Sequence, residues 1–272
     1  MTVITKISVG KKNKHRYNIY IDQGNGEEYG FSVSEEVLIK MNLKKGKTID
    51  QLEAMEIAYQ EDIQKALSLS FYYLSHRMRS EYEVTTYLKE KEYEGHTIKE
   101  VIHKLYELKY LDDVEFAKAF VSTKVNAGDK GPIVIKQELK QKGIQDDISE
   151  KALLQYSEEQ QLQHAKKIAE KLLNKKGNSS AVEQKRKAEQ TLIRKGFPSY
   201  IIEKAIGSVE YSQDENEEWE SLLKQGEKAH RKFQKYDGFQ YAQKMKSSLY
   251  RKGFPLELIE RYLDEVKHGE GE

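Results

Sequence analysis

Leu139-Lys140-Gln141-Lys142-Gly143-Ile144, Leu192-Ile193-Arg194-Lys195-Gly196-Phe197 and Leu249-Tyr250-Arg251-Lys252-Gly253-Phe254 are one helix end written three times. In each, glycine supplies the left-handed residue that closes a helix. The Ile or Phe after it is placed to fold back, in a Schellman motif, onto the Leu five positions earlier. Lysine and arginine in the last turn oppose the negative end of the helix dipole. Pro198 and Pro255 follow at once, where a helix starts and a missing N–H matters little. The next helix repeats too: Ile148, Ala152 and Leu153 match Ile201, Ala205 and Ile206, then Leu258, Tyr262 and Leu263. A weaker first copy reads Leu88-Lys89-Glu90-Lys91-Glu92-Tyr93, with its glycine displaced to Gly95 and with Val101 and Ile102 at the later positions.

The period of about 50 residues holds three short helices with their turns. Amphipathic helices precede the landmarks, at Leu67 to Met78, Phe116 to Val125 and Ala165 to Leu173. A unit of this size cannot bury an adequate core alone, so neighbours must stack. The expected fold is mainly α, with tandem three-helix repeats over 61–116, 117–158, 159–211 and 212–272 stacked into an elongated, curved array. Its junctions fall near Ala117, at Ser157 to Gln160 and in the acidic segment Tyr211 to Glu218, and Asn174 to Ser180 reads as a turn inside the third repeat.

Residues 1–60 have a different period and form a small β-rich N-terminal module. Val3 to Val9, Tyr17 to Ile21 and Tyr29 to Val33 alternate as short strands, with the turn cluster Asp22-Gln23-Gly24-Asn25-Gly26 between the last two. Ser34 caps a short helix with Glu35 and Glu36 in its first turn. Leu43 to Lys47 is a basic turn, and a longer helix is expected from about Ile49 to Leu67.

Of 272 residues, 33% are charged and 38% hydrophobic, and none is cysteine, which excludes disulfides, thiol nucleophiles and Cys-held metals. No stretch approaches the roughly 20 apolar residues of a membrane span. The N-terminus lacks a secretory signal, so the expected location is the cytoplasm. The net charge of +1 hides blocks. Cations dominate Lys6 to Arg16, Lys175 to Lys195 and Lys228 to Lys252, and acids dominate Asp214 to Glu220. Like charges in blocks repel, and a polyanion relieves the repulsion. Basic outer helix faces account for the same pattern without any partner.

No catalytic constellation emerges. The seven histidines are scattered, and none pairs with another in the spacing of a zinc protease. Asp112-Asp113 precedes the apolar helix face of Phe116, Phe120 and Val121 and reads as a cap, completed by Glu115. Gly24 and Gly26 belong to a hairpin, not a phosphate loop. The chain is expected to be neither an enzyme nor a cofactor protein.

Tyr110-Leu111-Asp112-Asp113-Val114-Glu115-Phe116-Ala117-Lys118-Ala119-Phe120, with His76-Arg77-Met78-Arg79-Ser80-Glu81 before it and Gly131-Pro132, Ile135, Leu139 and Lys142-Gly143-Ile144 after it, resembles the RecX family. The specific likeness spans about Leu67 to Leu154, and the looser repeat carries it to about Val266. The β module and fourth repeat are similar to the longer RecX proteins of Gram-positive bacteria. The resemblance implies a regulator, chiefly negative, that binds the RecA filament on single-stranded DNA. It would inhibit ATPase and strand exchange in DNA repair, recombination and SOS control. It also implies non-specific binding of single-stranded and possibly double-stranded DNA. The chain is expected to be a monomer with no membrane contact. The alternative is a free-standing DNA-binding or transcription-control protein.

Arg77 and Arg79, at a helix end before Ser80, are the first partner candidates, since paired guanidinium groups suit carboxylates or phosphates. An ion pair with Glu81 or Glu83 on the same stretch is the local alternative. Lys136, Lys140 and Lys142 lie on the polar side of the helix ending at Gly143, and Lys195 and Arg251 hold similar places later. In the N-terminal module Lys11, Lys12, Lys14 and Arg16 are DNA-binding candidates. Tyr17, Tyr20, Tyr236 and Tyr241 lie beside cations and suit base stacking or ordinary packing.

Overall fold

The structure, a computed structural model, describes residues 2–11, 13–174, 179–209 and 215–269. Lys12, the centre of the expected turn at 175–178 and half of the acidic junction, 211–214, lie outside them. The N-terminal strands β1 (Thr2–Val9), β2 (Arg16–Asp22) and β3 (Glu27–Ser34) form an antiparallel sheet in the order β3-β2-β1-β4. The hairpin turn is tied by Asp22, whose Oδ1 accepts the N–H groups of Gly24 at 2.7 Å and Gly26 at 3.0 Å. Ser34 caps α1 (Glu35–Lys40) as expected, accepting the N–H of Val37. The two-residue strand β4 (Thr48–Ile49) was not legible: its pairing is a short one, with Thr2 and Val3.

Helix α2 (Gln51–Ser75) replaces two expected helices, so the division at 60/61 falls inside it. Asp50 and Glu53 close a capping box at its start, and no Gly or Pro interrupts residues 51–75. Its Glu61, 4% exposed, accepts the N–H of Ser34 at 2.8 Å and pairs with Arg16 Nη1 at 2.8 Å. This carboxylate fastens the sheet to the helix beneath it.

The remaining helices are α3 (Glu81–Glu90), α4 (Gly95–Glu107), α5 (Asp113–Ala127), α6 (Pro132–Gln141), α7 (Asp146–Leu153), α8 (Glu158–Leu173), α9 (Ala181–Arg194), α10 (Ser199–Gly207), α11 (Glu215–Phe233), α12 (Gly238–Tyr250) and α13 (Leu256–Gly269). With α2 they fall in successive threes along the chain. The chain forms two compact units, Met1–Ala117 with Lys140–Ile148, and Lys118–Leu139 with Ser149–Glu272. In the first, α2, α3 and α4 close over Ile63, Ala66, Val84, Leu88, Val101 and Leu105. In the second, α8 to α10 bury Ala165, Ala169, Leu192, Phe197 and Ile201, and α11 to α13 bury Leu222, Met245, Leu249, Phe254 and Ile259.

The repeated helix ends form as the sequence predicts. Gly143, Gly196 and Gly253 have φ of 77°, 81° and 83°. The N–H of Phe197 reaches the Leu192 carbonyl at 3.2 Å, and that of Phe254 reaches Leu249 at 3.3 Å. Each glycine also has a second task. Ser80 donates its hydroxyl to the Lys142 carbonyl at 2.7 Å, Gly131 donates its N–H to the Lys195 carbonyl at 2.7 Å, and Ser180 donates to the Lys252 carbonyl. The start of α3, α6 and α9 is thus seated on the Lys-Gly turn one repeat further along. A Cβ on Gly143 would lie 2.4 Å from Tyr82 Cβ, on Gly196 2.5 Å from the Val134 nitrogen, and on Gly253 2.9 Å from Val182 Cβ.

The first copy corrects the expected displacement of its glycine. Gly95 opens α4, and the left-handed position is taken by Glu92 at φ 63°. The Tyr93 N–H still reaches the Leu88 carbonyl at 3.2 Å. Glu92 is exposed, so only the backbone asks for glycine there. Glu92→Gly is therefore expected to stabilise the protein by about 1 kcal/mol, the strain of a left-handed side-chain-bearing residue. Urea denaturation of the two proteins checks this. A loss of stability would mean that the Glu92 side chain holds something the backbone argument omits.

Candidate partner and nucleic-acid surface

The sequence-predicted cations separate into three groups. Arg77 and Lys142 converge on one carboxylate, Glu83, 15% exposed at its side chain: Arg77 Nη2 and Lys142 Nζ each lie 2.9 Å from its Oε1. Glu83 also accepts the N–H of Ser80 at 3.2 Å, while the Ser80 hydroxyl caps Glu83 N–H. Burial opposes the charge on Glu83, but hydrogen bonds from Arg77, Lys142 and the Ser80 backbone outweigh it and hold the pKa at about 2. Asp113 completes the knot by accepting the N–H of Glu81 at 2.9 Å. Burial, with Glu81 and Asp112 nearby, raises its pKa although that N–H lowers it. Asp112 caps α5 itself, accepting from Val114 and Glu115. The motif residues Arg77, Ser80, Asp113, Lys142 and Gly143 therefore build an internal joint. The ion pair of Arg77 is with Glu83, as the local alternative anticipated.

Arg79 is different. Its guanidinium lies 4.1 Å from the centre of the Tyr73 ring, which stacks on Tyr87 at 4.1 Å and 7°, with Lys91 over Tyr87. No carboxylate among the described residues pairs with it, and its Nε is buried without a hydrogen bond. The ladder holds a cation by its ring faces.

Lys136 pairs with Glu150 at 2.7 Å, and Lys246 repeats that contact with Glu260 at 2.7 Å. Lys195 donates to the Asp129 carbonyl at 2.9 Å and so belongs to a repeat-to-repeat seat. Lys140 is exposed with no acidic partner among the described residues. In the N-terminal module Lys11 and Lys14 are exposed and likewise unpaired, Lys12 is not described, and Arg16 is held by Glu61 and Ser32. Arg251 is exposed, and its guanidinium Nε donates to the Ser247 carbonyl of the preceding helix at 3.1 Å.

Around Arg251 lie cations that the sequence shows as a block but does not single out. Lys228, Lys232, Lys235, Lys244 and Lys252 have no carboxylate partner among the described residues. Lys252 donates to Gln225 Oε1 at 2.5 Å. Burial, then the charges of Lys228 and Lys232, lower its pKa. The signal was the run itself, in which Asp237 is the sole acid from Lys228 to Lys252. Tyr236 carries Lys244 at 4.5 Å and Lys235 at 5.4 Å over its ring, and the Tyr241 hydroxyl is bonded to His230 at 2.9 Å. All four tyrosines suggested for base stacking are thus engaged inside the protein, since Tyr17 packs against the core of the β module and Tyr20 meets Tyr29 edge-on with Lys6 over its ring. Among the described residues no three His, Asp or Glu side chains gather as a metal site, and no helix is long and apolar enough to cross a membrane.

Known proteins share this organisation from end to end. Profiles of the RecX N-terminal domain and of the first and second three-helix domains match residues 2–50, 66–105 and 112–153. The third three-helix domain matches twice, over 158–206 and 216–263, so the fourth unit is a further copy of the third. Regulatory protein RecX of Halalkalibacterium halodurans is 46% identical over 97% of this chain and 100% of its own length, and that of Bacillus subtilis is 46% identical over 98% and 100%. A crystal structure of regulatory protein RecX matches 77% of this chain and 100% of its own at 36% identity, with a TM-score of 0.69. That of RecX from Lactobacillus salivarius matches 54% and 96% at 36% identity, with a TM-score of 0.52. With the β module and the three-helix units matched in order along the chain, and relatives of 46% identity covered over their full length, the chain belongs to the RecX family of regulatory proteins.

Proposed function

We propose that this protein is a regulator, chiefly negative, of the RecA recombinase. It binds the filament RecA forms on single-stranded DNA and inhibits ATP hydrolysis and strand exchange, in DNA repair, recombination and SOS control in the cytoplasm. The observation that carries the reading is the full-length match to relatives named regulatory protein RecX. The mechanism is obstruction by a monomer, without catalysis or a cofactor. Tandem three-helix units offer repeated surfaces, and repeated surfaces suit the repeating subunits of a polymer. Lys140 and Arg79, which have no acidic partner among the described residues, remain available to acidic groups of that polymer.

The test is a titration into RecA filaments with free DNA scarce, following ATP hydrolysis, beside a titration of DNA binding alone. Inhibition is expected well below the protein concentration that covers the DNA. Inhibition only as the DNA becomes covered supports the second reading, a free-standing DNA binder. The unpaired cations of the fourth unit favour that reading.

A further inference from the structure

We propose that Lys252 is a modification site, whose amine takes the acyl group of a small acyl phosphate held in the cleft beside it. Lys142, Lys195 and Lys252 share one position of the repeated helix end, each directly before the left-handed glycine. Their side chains meet three different neighbours. Lys142 lies 2.9 Å from the Glu83 carboxylate, and Lys195 donates to the Asp129 carbonyl at 2.9 Å. Lys252 donates to the neutral amide oxygen of Gln225 at 2.5 Å, with no carboxylate partner among the described residues. Burial first, then the charges of Lys228 and Lys232, lowers its pKa, so more of Lys252 than of an ordinary lysine is free amine at neutral pH. An ammonium has no lone pair, and a desolvated lysine beside other cations is the form that attacks a carbonyl carbon.

Lys252 lines a cleft of about 240 Å³ together with Arg186, Lys187 and Arg251. Glu183 is the one carboxylate among the described residues of that lining, and it is answered by Arg186 at 2.8 Å and Lys187 at 3.7 Å. The surplus charge of the cleft is therefore positive. Exposed Arg251 brings a guanidinium fork, the group suited to phosphate oxygens. A phosphate held there carries its acyl carbon to the wall that Lys252 forms. The nitrogen lone pair makes the new C–N bond, and the bond from the acyl carbon to the phosphate oxygen breaks. The proton lost by nitrogen leaves with the departing group as hydrogen phosphate. The product is a neutral amide, which removes one cation from the run Lys228 to Lys252. The seat of α9 is spared, because Ser180 donates to the backbone carbonyl of Lys252 and not to its side chain. The inference does not depend on the proposed function, since the labelling is read without RecA.

The experiment incubates the full chain with acetyl phosphate at pH 7 and reads acetylation of each lysine by mass spectrometry after digestion. Lys252 is expected to be labelled about 10-fold faster than Lys142, Lys195 or Lys187. Phenyl acetate, which carries no phosphate, separates the amine from the cleft. Arg251→Gln is expected to slow acetylation of Lys252 by acetyl phosphate about 10-fold and by phenyl acetate less than about threefold, through the loss of one charge-assisted contact to the phosphate. Lys228→Gln with Lys232→Gln is expected to slow both donors about threefold at pH 7, and to lose that effect as rising pH frees the amine in both proteins. Inorganic phosphate at constant ionic strength repeats the separation on the unaltered protein. It is expected to slow the reaction with acetyl phosphate and to spare that with phenyl acetate. Labelling of Lys252 no faster than of Lys142 and Lys195 overturns the assignment. So does an equal effect of Arg251→Gln, or of phosphate, on both donors, which would leave a reactive amine without a site for the acyl phosphate.

Discussion

Gly196→Ala is expected to lower stability by about 4 kcal/mol, against about 1–2 kcal/mol for Gly46→Ala. Both glycines are left-handed, at φ 81° and 85°. An alanine at either pays the same backbone strain, roughly 1–2 kcal/mol. A Cβ on Gly46 would meet nothing within 4 Å. On Gly196 it would lie 2.5 Å from the Val134 nitrogen and 2.7 Å from its Cγ2, and neither the backbone nor a β-branched side chain swings aside. The start of α6 must then withdraw. The Gly131 N–H leaves the Lys195 carbonyl at 2.7 Å, and the Ile133 N–H leaves the Gly196 carbonyl at 3.1 Å. Two buried hydrogen bonds at about 1 kcal/mol each, added to the strain and lost packing, give the expected figure. Against a whole-domain stability of about 5–15 kcal/mol that is a large fraction. Chemical denaturation followed by circular dichroism measures both variants. Equal losses at the two positions would show that conformation alone matters and that the seat contributes nothing.

The helix ends were legible because their chemistry is local. A Leu, two cations, a glycine and an Ile or Phe within six residues determine the turn without reference to the rest of the chain. The seat on that turn was not legible. Ser80 and Lys142 are 62 residues apart, and nothing near either names the other. The same distance hid the purpose of the glycine. Where a helix sits on the turn, glycine is required twice over. At Glu92 nothing presses on it, and a glutamate survives with its strain. The sequence placed Arg77 at a helix end and Lys142 on a polar face, but an internal ion pair can begin at either, and Glu83, which both reach, decides the matter. The fourth-unit cations were legible only as a run. Their lack of acidic partners among the described residues is a tertiary fact, since a run of cations does not say which acids from elsewhere fold onto it. The join of α2 is the converse case: its continuity was written in the absence of Gly and Pro from 51 to 75, and the change of period near 60 argued against it.

Glu83→Gln is expected to destabilise the protein by about 2–3 kcal/mol at pH 7, with the difference shrinking below about pH 4.5 and gone near pH 2. The size follows from the carboxyl's displacement from 4.5 to about 2, at 1.36 kcal/mol per pH unit, reduced because Arg77 is half exposed and screened by solvent. The sign follows from linkage. A carboxyl whose folded pKa lies below its unfolded value stabilises fully above the unfolded value. That contribution fades as pH falls through the folded one. Asp113 acts in the opposite sense, since burial raises its pKa, and the Glu83 charge adds to that rise, so Glu83→Gln relieves Asp113 and trims the difference. Glutamine keeps an oxygen for the Ser80 N–H, so the variant removes charge while sparing the cap. Glu83→Ala removes both and leaves Arg77 and Lys142 facing each other without a counter-charge, a costlier change. Thermal or urea unfolding at a series of pH values gives the difference directly. A gap that stays constant from pH 7 to pH 2 would mean that shape, not charge, makes the joint. The outcome also bears on function. If Arg77 and Lys142 serve Glu83, Arg77→Ala weakens regulation of the recombinase only as far as it loosens the joint, and restoring stability with Glu92→Gly restores regulation. If Arg77 instead meets the partner, the stabilised double variant remains defective.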